Sequence, residues 1–162
     1  MSLFAVLGFL TIAFGGQALL SLTATPPEPD ALLATAAAEA SPVEKLRMCR
    51  KGEKNTAIKT CVVDGDTLWL RGTDYRMKDY DTPETQTDIC GGGSEVALGR
   101  RAGARFLELL NSNHWTIETF GVDRTGRRVL ATIRIAGRDV GDILIAEHLA
   151  RRWPDGREFW CS

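Results

Sequence analysis

The chain has 162 residues, with 20 basic and 21 acidic side chains and a formal net charge of −1. This length suits one ordinary domain with a hydrophobic core plus a short extension. The near-neutral balance gives no support to a partner chosen by net charge alone and predicts a surface of mixed charge.

The chain begins with an apolar run, "LFAVLGFLTIAFGGQALLSL" at 3–22. About 20 apolar residues span a bilayer as a helix, so residues 1–24 are predicted to be a helical signal or membrane-anchor segment. The basic residues usual at the start of a signal peptide are missing, and a cleaved signal and a retained anchor both stay open. A buried core helix is less favoured, because a Pro- and Ala-rich linker follows at 25–44 before the domain at 45–162. We expect an exported protein that is periplasmic, secreted or held at a membrane through residues 3–22.

The sequence contains four cysteines, none of them in a C-x-x-C arrangement. An even number of cysteines behind an export-like segment predicts two disulfides in an oxidising compartment, with unpaired core thiols as the alternative. Four cysteines permit three pairings, and the sequence does not choose among them. We expect Cys49–Cys61, which closes a short loop at the start of the domain, and Cys90–Cys161, which ties a later loop to the carboxyl terminus.

Three β-strands are predicted within residues 56–84, "TAIKTCVVDGDTLWLRGTDYRMKDYDTPE". Asp64 and Gly65 indicate a tight two-residue hairpin turn, which requires positive φ. A second turn is expected around Gly72. Pro83 disfavours helix at the preceding residue and ends the third strand.

Helical periodicity begins at residue 94 and predicts a helix over 94–111, with Ser94 as its N-cap. Residues 115–120 and 128–137 predict strands; in the second, apolar and polar side chains alternate. Residues 139–150 predict a second helix. The apolar faces of the two helices consist of Leu98, Ala102, Phe106, Leu109 and Leu110, and of Val140, Ile143 and Leu144.

The predicted elements follow the order β-β-β-α-β-β-α. This order within one small domain indicates an α+β fold, and the natural candidate is a small five-stranded OB-fold β-barrel with two packed helices. The hydrophobic N-terminal helix precedes this barrel in the chain.

Carboxylates crowd the stretch "DYDTPET" at 79–85, where Asp79, Asp81 and Glu84 repel one another unless positive charge lies among them. Asp66 and Asp81 offer hard oxygen ligands, which favour Ca²⁺, Mg²⁺ or Mn²⁺ over zinc. Glu84 lies beyond the proline bend, where it could stay off the metal and orient a water. The pattern predicts a divalent-cation site with a general base beside it.

Two arginines from different segments, Arg76 and Arg127, could grip a phosphate bidentately. Hydrolysis of a phosphodiester needs an activated water, a base and positive charge where negative charge develops, and these residues supply that set. Each motif alone is weak, because "DGDT" and "DTPE" are common turns and "DRTGRR" is commonly a solvated loop. Strict strand alternation also places Arg76 and Asp81 on opposite faces, unless the strand bulges or ends before Asp81.

Five stretches together resemble the thermonuclease family of staphylococcal nuclease-like domains: "VVDGDTLWL", "YRMKDYDTPE", "ALGRRAGARFLELL", "DRTGRRVLATI" and "VGDILIAEHLARR". They lie within residues 57–152, in the order and spacing of that family. The resemblance implies an OB-fold and Ca²⁺-dependent cleavage of DNA and RNA that typically leaves 3′-phosphate ends. It further implies calcium carboxylates at Asp66 and Asp81, a backbone-carbonyl ligand at Thr82, the general base at Glu84, and phosphate-binding arginines at Arg76 and Arg127.

The chain departs from the family pattern around the substrate pocket. Arg124 and Thr125 stand where the family type carries a Lys-Tyr pair, and "RRWPDG" replaces the tyrosines after the second helix. Arg124 is expected to contact substrate, and Trp153 offers a platform for base stacking. The closing helix of the family type is absent, and the Cys90–Cys161 bridge is expected to act as a clamp in its place.

Two further functions compete with the nuclease. One is a non-catalytic OB-fold module that is tethered at a membrane and binds nucleic acid or protein; the other is a tethered structural protein whose acids only bind Ca²⁺. The second leaves Arg76, Glu84 and Arg127 unexplained. No protein partner is predicted, and His114 and His148 are expected to be ordinary surface or packing residues.

Overall fold

A computed structural model describes residues 45–86 and 90–161. The predicted signal or anchor segment at 1–24 and the linker at 25–44 lie outside these ranges. Across the two described ranges, no helix is both long and apolar enough to cross a membrane.

Most strands of the described chain belong to one sheet. Its members are β1 (Cys61–Val62), β2 (Thr67–Leu70), β3 (Thr73–Met77), β5 (Trp115–Val122), β6 (Val129–Ile135) and β7 (Arg138–Asp139). Neighbouring strands follow the order β1-β2-β3-β6-β5, and β7 pairs with β6. The β3–β6 pair is parallel and the other pairs are antiparallel.

A smaller sheet and the helices complete the described structure. In the smaller sheet, β4 (Tyr80–Asp81) pairs antiparallel with β8 (Arg151–Arg152). The helices are α1 (Gly92–Ser112), α2 (Val140–Ala146) and a short 3-10 helix (Phe159–Cys161).

The predicted α+β class and the two helices are confirmed in the described part of the chain. Strand pairing there runs as an open path from β1 to β5, and no pairing within residues 45–86 and 90–161 joins these two strands into a closed barrel. The described domain is therefore a small α+β unit with one main sheet.

The core lies between α1 and the main sheet. The face of α1 predicted to be apolar is buried, with Phe106 and Leu110 fully inaccessible and Leu98 partly buried at its margin. These side chains meet core residues of the sheet and of α2: Leu68, Met77, Ala131, Ile133, Val140 and Leu144. Helical spacing thus identified the buried face correctly.

The start of α1 differs from the prediction that Ser94 is its N-cap. Gly91 is the N-cap, and the Ser94 hydroxyl donates to the Gly91 carbonyl at 2.6 Å. The buried Glu95 carboxylate instead accepts the backbone N–H groups of Cys90 and Gly91, each at 3.0 Å. Because Glu95 satisfies donors ahead of the helix, α1 can begin at Gly92.

The second helix is shorter than predicted. It ends at Ala146 rather than Ala150, and His148 adopts a left-handed φ of 56°. The Leu149 N–H then donates to the Leu144 carbonyl at 2.9 Å, which closes the helix end. This turn directs the chain into β8.

The first hairpin forms where the sequence predicts it, but its turn is of a different kind. Residues 63–66 connect β1 to β2, and Gly65 does not have positive φ. A Cβ at Gly65 would lie 2.6 Å from Thr82 Cγ2 and 2.9 Å from Ala102 Cβ, so glycine is needed here for space. The second turn, at Gly72, has the positive φ of 80° that such turns require.

Both predicted disulfides are present, joining Cys49 to Cys61 and Cys90 to Cys161. They span 12 and 71 residues of sequence. The longer loop corresponds to about 4 kcal/mol of stabilisation in the chain-entropy model. The two bonds are compatible with an extracellular or periplasmic protein.

Gly99 makes α1 pack directly against the backbone of residues 83–84. A Cβ at Gly99 would lie 2.4 Å from the Pro83 carbonyl oxygen and 2.6 Å from that of Glu84. We expect Gly99→Ala to lower the free energy of unfolding by about 1–3 kcal/mol through overpacking, measured by urea denaturation. Gly103→Ala on the same helix is the control, because its Cβ would meet nothing closer than 3.3 Å. A Gly99→Ala protein as stable as Gly103→Ala would contradict this packing.

Candidate active site

A cluster of carboxylates and arginines lies where the 63–66 turn, β3, β4 and β8 meet. At its centre is Asp66, whose side chain is 1% exposed. Its Oδ2 accepts the Thr82 backbone N–H at 3.0 Å and the Thr82 hydroxyl at 3.1 Å, and its Oδ1 accepts the Thr67 hydroxyl at 3.1 Å. The Arg76 guanidinium also contacts Oδ1 through Nη1.

Arg76 bridges the two predicted metal carboxylates. Besides its contact with Asp66, its Nη2 donates to Asp81 Oδ1 at 2.7 Å. The geometric difficulty of strand alternation is removed because the predicted third strand is broken. β3 ends at Met77, and Asp81 belongs to a different strand of the smaller sheet. Arg76 and Asp81 can therefore face the same point.

The turn that carries Asp66 is fixed from several sides. The buried Tyr80 hydroxyl donates to the Gly65 carbonyl at 2.9 Å. Asp64 Oδ1 accepts the Asp66 backbone N–H at 3.1 Å, and the Asp66 carbonyl accepts the Met77 N–H at 2.8 Å. Asp66 is consequently held by contacts to both its backbone and its side chain.

Neighbouring groups shift the pKa of the buried Asp66 carboxyl in opposite directions. Burial raises its pKa, and the nearby Asp64 raises it further, while Arg76 opposes both. The Thr67 hydroxyl, the Thr82 N–H and hydroxyl, and the Arg76 guanidinium all meet this carboxyl group. The Arg76 contact is what compensates the burial of this charge.

Asp81 is shared between two arginines. Arg76 contacts its Oδ1, whereas Arg151 contacts its Oδ2 through Nε at 3.1 Å and Nη2 at 3.0 Å. Arg151 lies on β8 directly opposite Asp81 in the register of the smaller sheet. Two carboxyl groups and two guanidiniums thus form one connected cluster.

Glu84, the predicted general base, is exposed at the edge of this cluster. Partial burial raises the pKa of its carboxyl, and Asp66 raises it further, while Arg76 opposes. Within residues 45–86 and 90–161, no hydrogen bond or ion pair engages this carboxylate. It is available to a water or a substrate.

Arg127 does not contact the cluster in the described chain. It is exposed in the loop before β6, where Asp123 Oδ1 accepts its backbone N–H at 3.2 Å and the Thr125 hydroxyl at 2.7 Å. The parallel β3–β6 pairing places Leu130 beside Arg76. The loop therefore leads directly into the strand next to the cluster.

The two predicted substrate contacts lie outside the cluster. Arg124 is exposed in the same loop as Arg127. Trp153 is 50% exposed, and its backbone N–H donates to the Asp79 carbonyl at 3.0 Å, which brings the ring near β4. The Arg151 guanidinium carbon lies 4.9 Å from the centre of the Trp153 ring.

Sequence reasoning missed the roles of Arg151, Asp64 and Tyr80 in this cluster. Arg151 lies at the end of the "VGDILIAEHLARR" stretch and begins "RRWPDG", but no spacing rule links it to Asp81, 70 residues earlier. Asp64 and Tyr80 were visible only as a turn residue and a strand residue. Their contacts arise from tertiary packing.

Two other groups of potential metal donors occur in the described residues, each at a disulfide: Cys49, Glu53 and Cys61, and Cys90, Glu158 and Cys161. Their sulfurs are bonded to one another and are not thiolate ligands.

Neither a scan against models of known protein families nor a search of curated proteins returned a match.

The Thr82 hydroxyl offers a direct test of the contacts around Asp66. We expect Thr82→Val to lower the free energy of unfolding by about 1.5–3 kcal/mol, because it removes a buried hydrogen bond to a charged group while keeping the side chain's shape. Thr116→Val, at an exposed position of β5, is the control. Equal stability of the two variants in denaturant titrations would be inconsistent with a buried, hydrogen-bonded Asp66 carboxylate.

Proposed function

We propose that this protein is a thermonuclease-type phosphodiesterase with an OB-fold, which hydrolyses DNA and/or RNA in a Ca²⁺-dependent reaction and leaves 3′-phosphate ends. One observation carries the proposal: Asp66 and Asp81 converge on one guanidinium, with the unpartnered Glu84 carboxylate beside them. A cation site flanked by a free carboxylate is the arrangement that water activation at a phosphate requires.

The donor set fits a hard divalent cation. Asp66 Oδ1 and Asp81 Oδ1 both contact Arg76, so the two oxygens face the same small region. Asp66, Asp81 and the Thr82 carbonyl would hold Ca²⁺, an ion that prefers oxygen ligands. When bound, the ion would supply positive charge next to the phosphate oxygens.

Residues of the chain supply the general base and the positive charge for the phosphate. Glu84 takes a proton from a water, and its raised pKa makes it a stronger base than an ordinary glutamate. Arg76 and Arg127 supply positive charge for the phosphate, where charge develops in the transition state. Exposure of the Arg127 loop supports this role, because its guanidinium is accessible to a polyanion.

Substrate contacts beyond the phosphate are proposed for Trp153 and Arg124. The half-exposed Trp153 ring lies next to the cluster and can stack on a base, an interaction that tolerates any sequence. Arg124 in the exposed loop can pair with a neighbouring phosphate. Single-stranded substrates suit such a site, because their bases are free to stack.

The alternative function is a non-catalytic binding module. One observation favours it: Arg76 and Arg151 already neutralise Asp66 and Asp81 without a metal. Such a module would bind nucleic acid through Arg124, Arg127 and Trp153 and would not need a free carboxylate at Glu84. The two functions therefore differ in what Glu84 is expected to do.

Export is proposed as the setting of this activity. The two disulfides support a location outside the cytoplasm. We further propose that residues 1–24 act as the signal or membrane anchor, that residues 25–44 form the linker, and that residues 45–162 form the nuclease domain.

Cleavage of single-stranded DNA or RNA should require Ca²⁺, and Zn²⁺ should not replace it. Zinc prefers nitrogen and sulfur ligands in tetrahedral geometry, which two carboxylates and a carbonyl do not provide. The measurement is fragment formation in a gel assay with Ca²⁺, with excess chelator, and with Zn²⁺ added after chelation. Undiminished cleavage after exhaustive chelation would rule out the calcium requirement.

Glu84→Gln separates an enzyme from a binding module. We expect turnover to fall by about 10²-fold or more, because the amide keeps the size of the side chain but cannot accept the proton. Affinities for Ca²⁺ and for the same single-stranded substrate should stay near wild type. Glu118→Gln, on the exposed side of β5, is the matched control and should keep full turnover. If Glu84→Gln cuts as fast as wild type, the base assignment is wrong; if wild type binds without cutting, the binding module is correct.

A further inference from the structure

Arg151 is a buried arginine whose three guanidinium nitrogens all contact protein oxygens. It is 8% exposed. Its Nε and Nη2 contact Asp81 Oδ2, Nη2 also donates to Glu158 Oε1 at 2.8 Å, and Nη1 donates to the carbonyls of Gly156 at 2.7 Å and Pro154 at 3.3 Å. A guanidinium has five N–H donors, and Arg151 uses four of them in hydrogen bonds, while Nη2 also forms an ion pair with Asp81 Oδ2. The guanidinium of Arg151 is therefore engaged by the protein on all three of its nitrogens.

The contacts of Arg151 fix which oxygen of Asp81 faces the candidate site. Both contacts from Arg151 go to Oδ2, and the contact from Arg76 goes to Oδ1. With Oδ2 engaged, Oδ1 is the oxygen that meets Arg76 in the cluster. The orientation of the Asp81 carboxylate therefore depends on Arg151.

Arg151 is held in turn by the carboxyl-terminal segment, residues 154–161. That segment folds back over β8, and the Gly156 N–H donates to the Arg152 carbonyl at 2.7 Å. At its far end, Cys161 is bonded to Cys90. The segment cannot leave Arg151 without losing these attachments.

A backbone contact supports the same attachment. A Cβ at Gly91 would lie 2.0 Å from the Trp160 carbonyl oxygen, so the two backbones touch at this point. Trp160 is buried. Gly91, next to the disulfide-bonded Cys90, thus packs against the segment that surrounds Arg151.

We propose that Arg151 is a positioning residue, which orients Asp81 by joining it to the carboxyl-terminal segment anchored at Cys161. The effect on Ca²⁺ rests on the proposed nuclease function. In that enzyme, Arg151 holds the metal ligand Asp81 in place and does not touch substrate. Its burial and its contacts with the carboxyl-terminal segment distinguish it from the more accessible Arg76 and Arg127.

The first test compares Ca²⁺ affinity by calorimetry across variants of the full chain. Arg151→Gln should weaken Ca²⁺ binding by about 10-fold to 100-fold, the usual effect of removing a partner that orients a metal ligand. Arg151→Lys should weaken it less, because one ammonium can still pair with Asp81. Glu158→Gln removes only an outer contact of Arg151 and gives a milder variant that should fold.

Arg152→Gln is the matched control. Arg152 is the neighbouring residue on β8, but it pairs with Asp142 at 2.5 Å and its side chain is half exposed. We expect wild-type Ca²⁺ affinity for Arg152→Gln. In kinetics, Arg151→Gln should show a raised Ca²⁺ requirement with KM for nucleic acid unchanged at saturating Ca²⁺. If wild type binds Ca²⁺, equal losses in the Arg151 and Arg152 variants, or no loss in either, would overturn the proposal.

A second readout does not depend on the proposed function. In heteronuclear NMR spectra without metal, Arg151→Gln should shift the Thr82 amide and the Arg76 guanidinium resonances, and Arg152→Gln should leave both in place. A wild-type protein that neither binds Ca²⁺ nor cuts nucleic acid would refute the proposed function, whereas these shifts would still support the positioning role. Unchanged Thr82 and Arg76 resonances in Arg151→Gln would refute that role.

Discussion

The structure around the candidate site depends on the compensation of a buried carboxylate. Asp66 is almost inaccessible to solvent, and burying an unpaired charge costs several kcal/mol. Arg76 compensates it directly and at the same time pairs with Asp81. The crowding of acids after β3 is tolerable because two guanidiniums, Arg76 and Arg151, lie among them. In the proposed enzyme, Ca²⁺ would take part of that compensation and leave Arg76 free to meet a phosphate.

Backbone architecture brings these charges together from distant parts of the chain. Asp66 sits in a turn that packs closely only because Gly65 lacks a side chain, and Asp81 pairs with Arg151 across a two-stranded sheet. The carboxyl-terminal segment then surrounds Arg151 and is attached through Cys161. The site therefore depends on local turns and on the long loop closed by the Cys90–Cys161 disulfide, and no single helix or strand contains all of it.

Periodicity, turn chemistry and cysteine placement predicted much of this domain before its structure was known. The buried face of α1 follows helical spacing, and both disulfides match their expected pairs. Two predictions that failed depend on tertiary contacts: Gly91 and not Ser94 is the N-cap of α1, where Glu95 accepts the N–H groups of Cys90 and Gly91, and α2 ends early, before His148. The role of Arg151 could not be predicted from the sequence, because its partner Asp81 lies 70 residues earlier. The assignment of a five-stranded OB-fold and the catalytic roles are proposals.

The chemical nature of the product ends distinguishes the proposed nuclease from other phosphodiesterases and from a binding module. The full chain would be incubated with Ca²⁺ and a 5′-labelled single strand of DNA or RNA, and the fragments then offered to a polymerase with and without prior phosphatase treatment. We expect shortened strands that the polymerase extends only after phosphatase has removed a 3′-phosphate. Strands that stay intact although the protein binds them, or fragments extended without phosphatase, would contradict it.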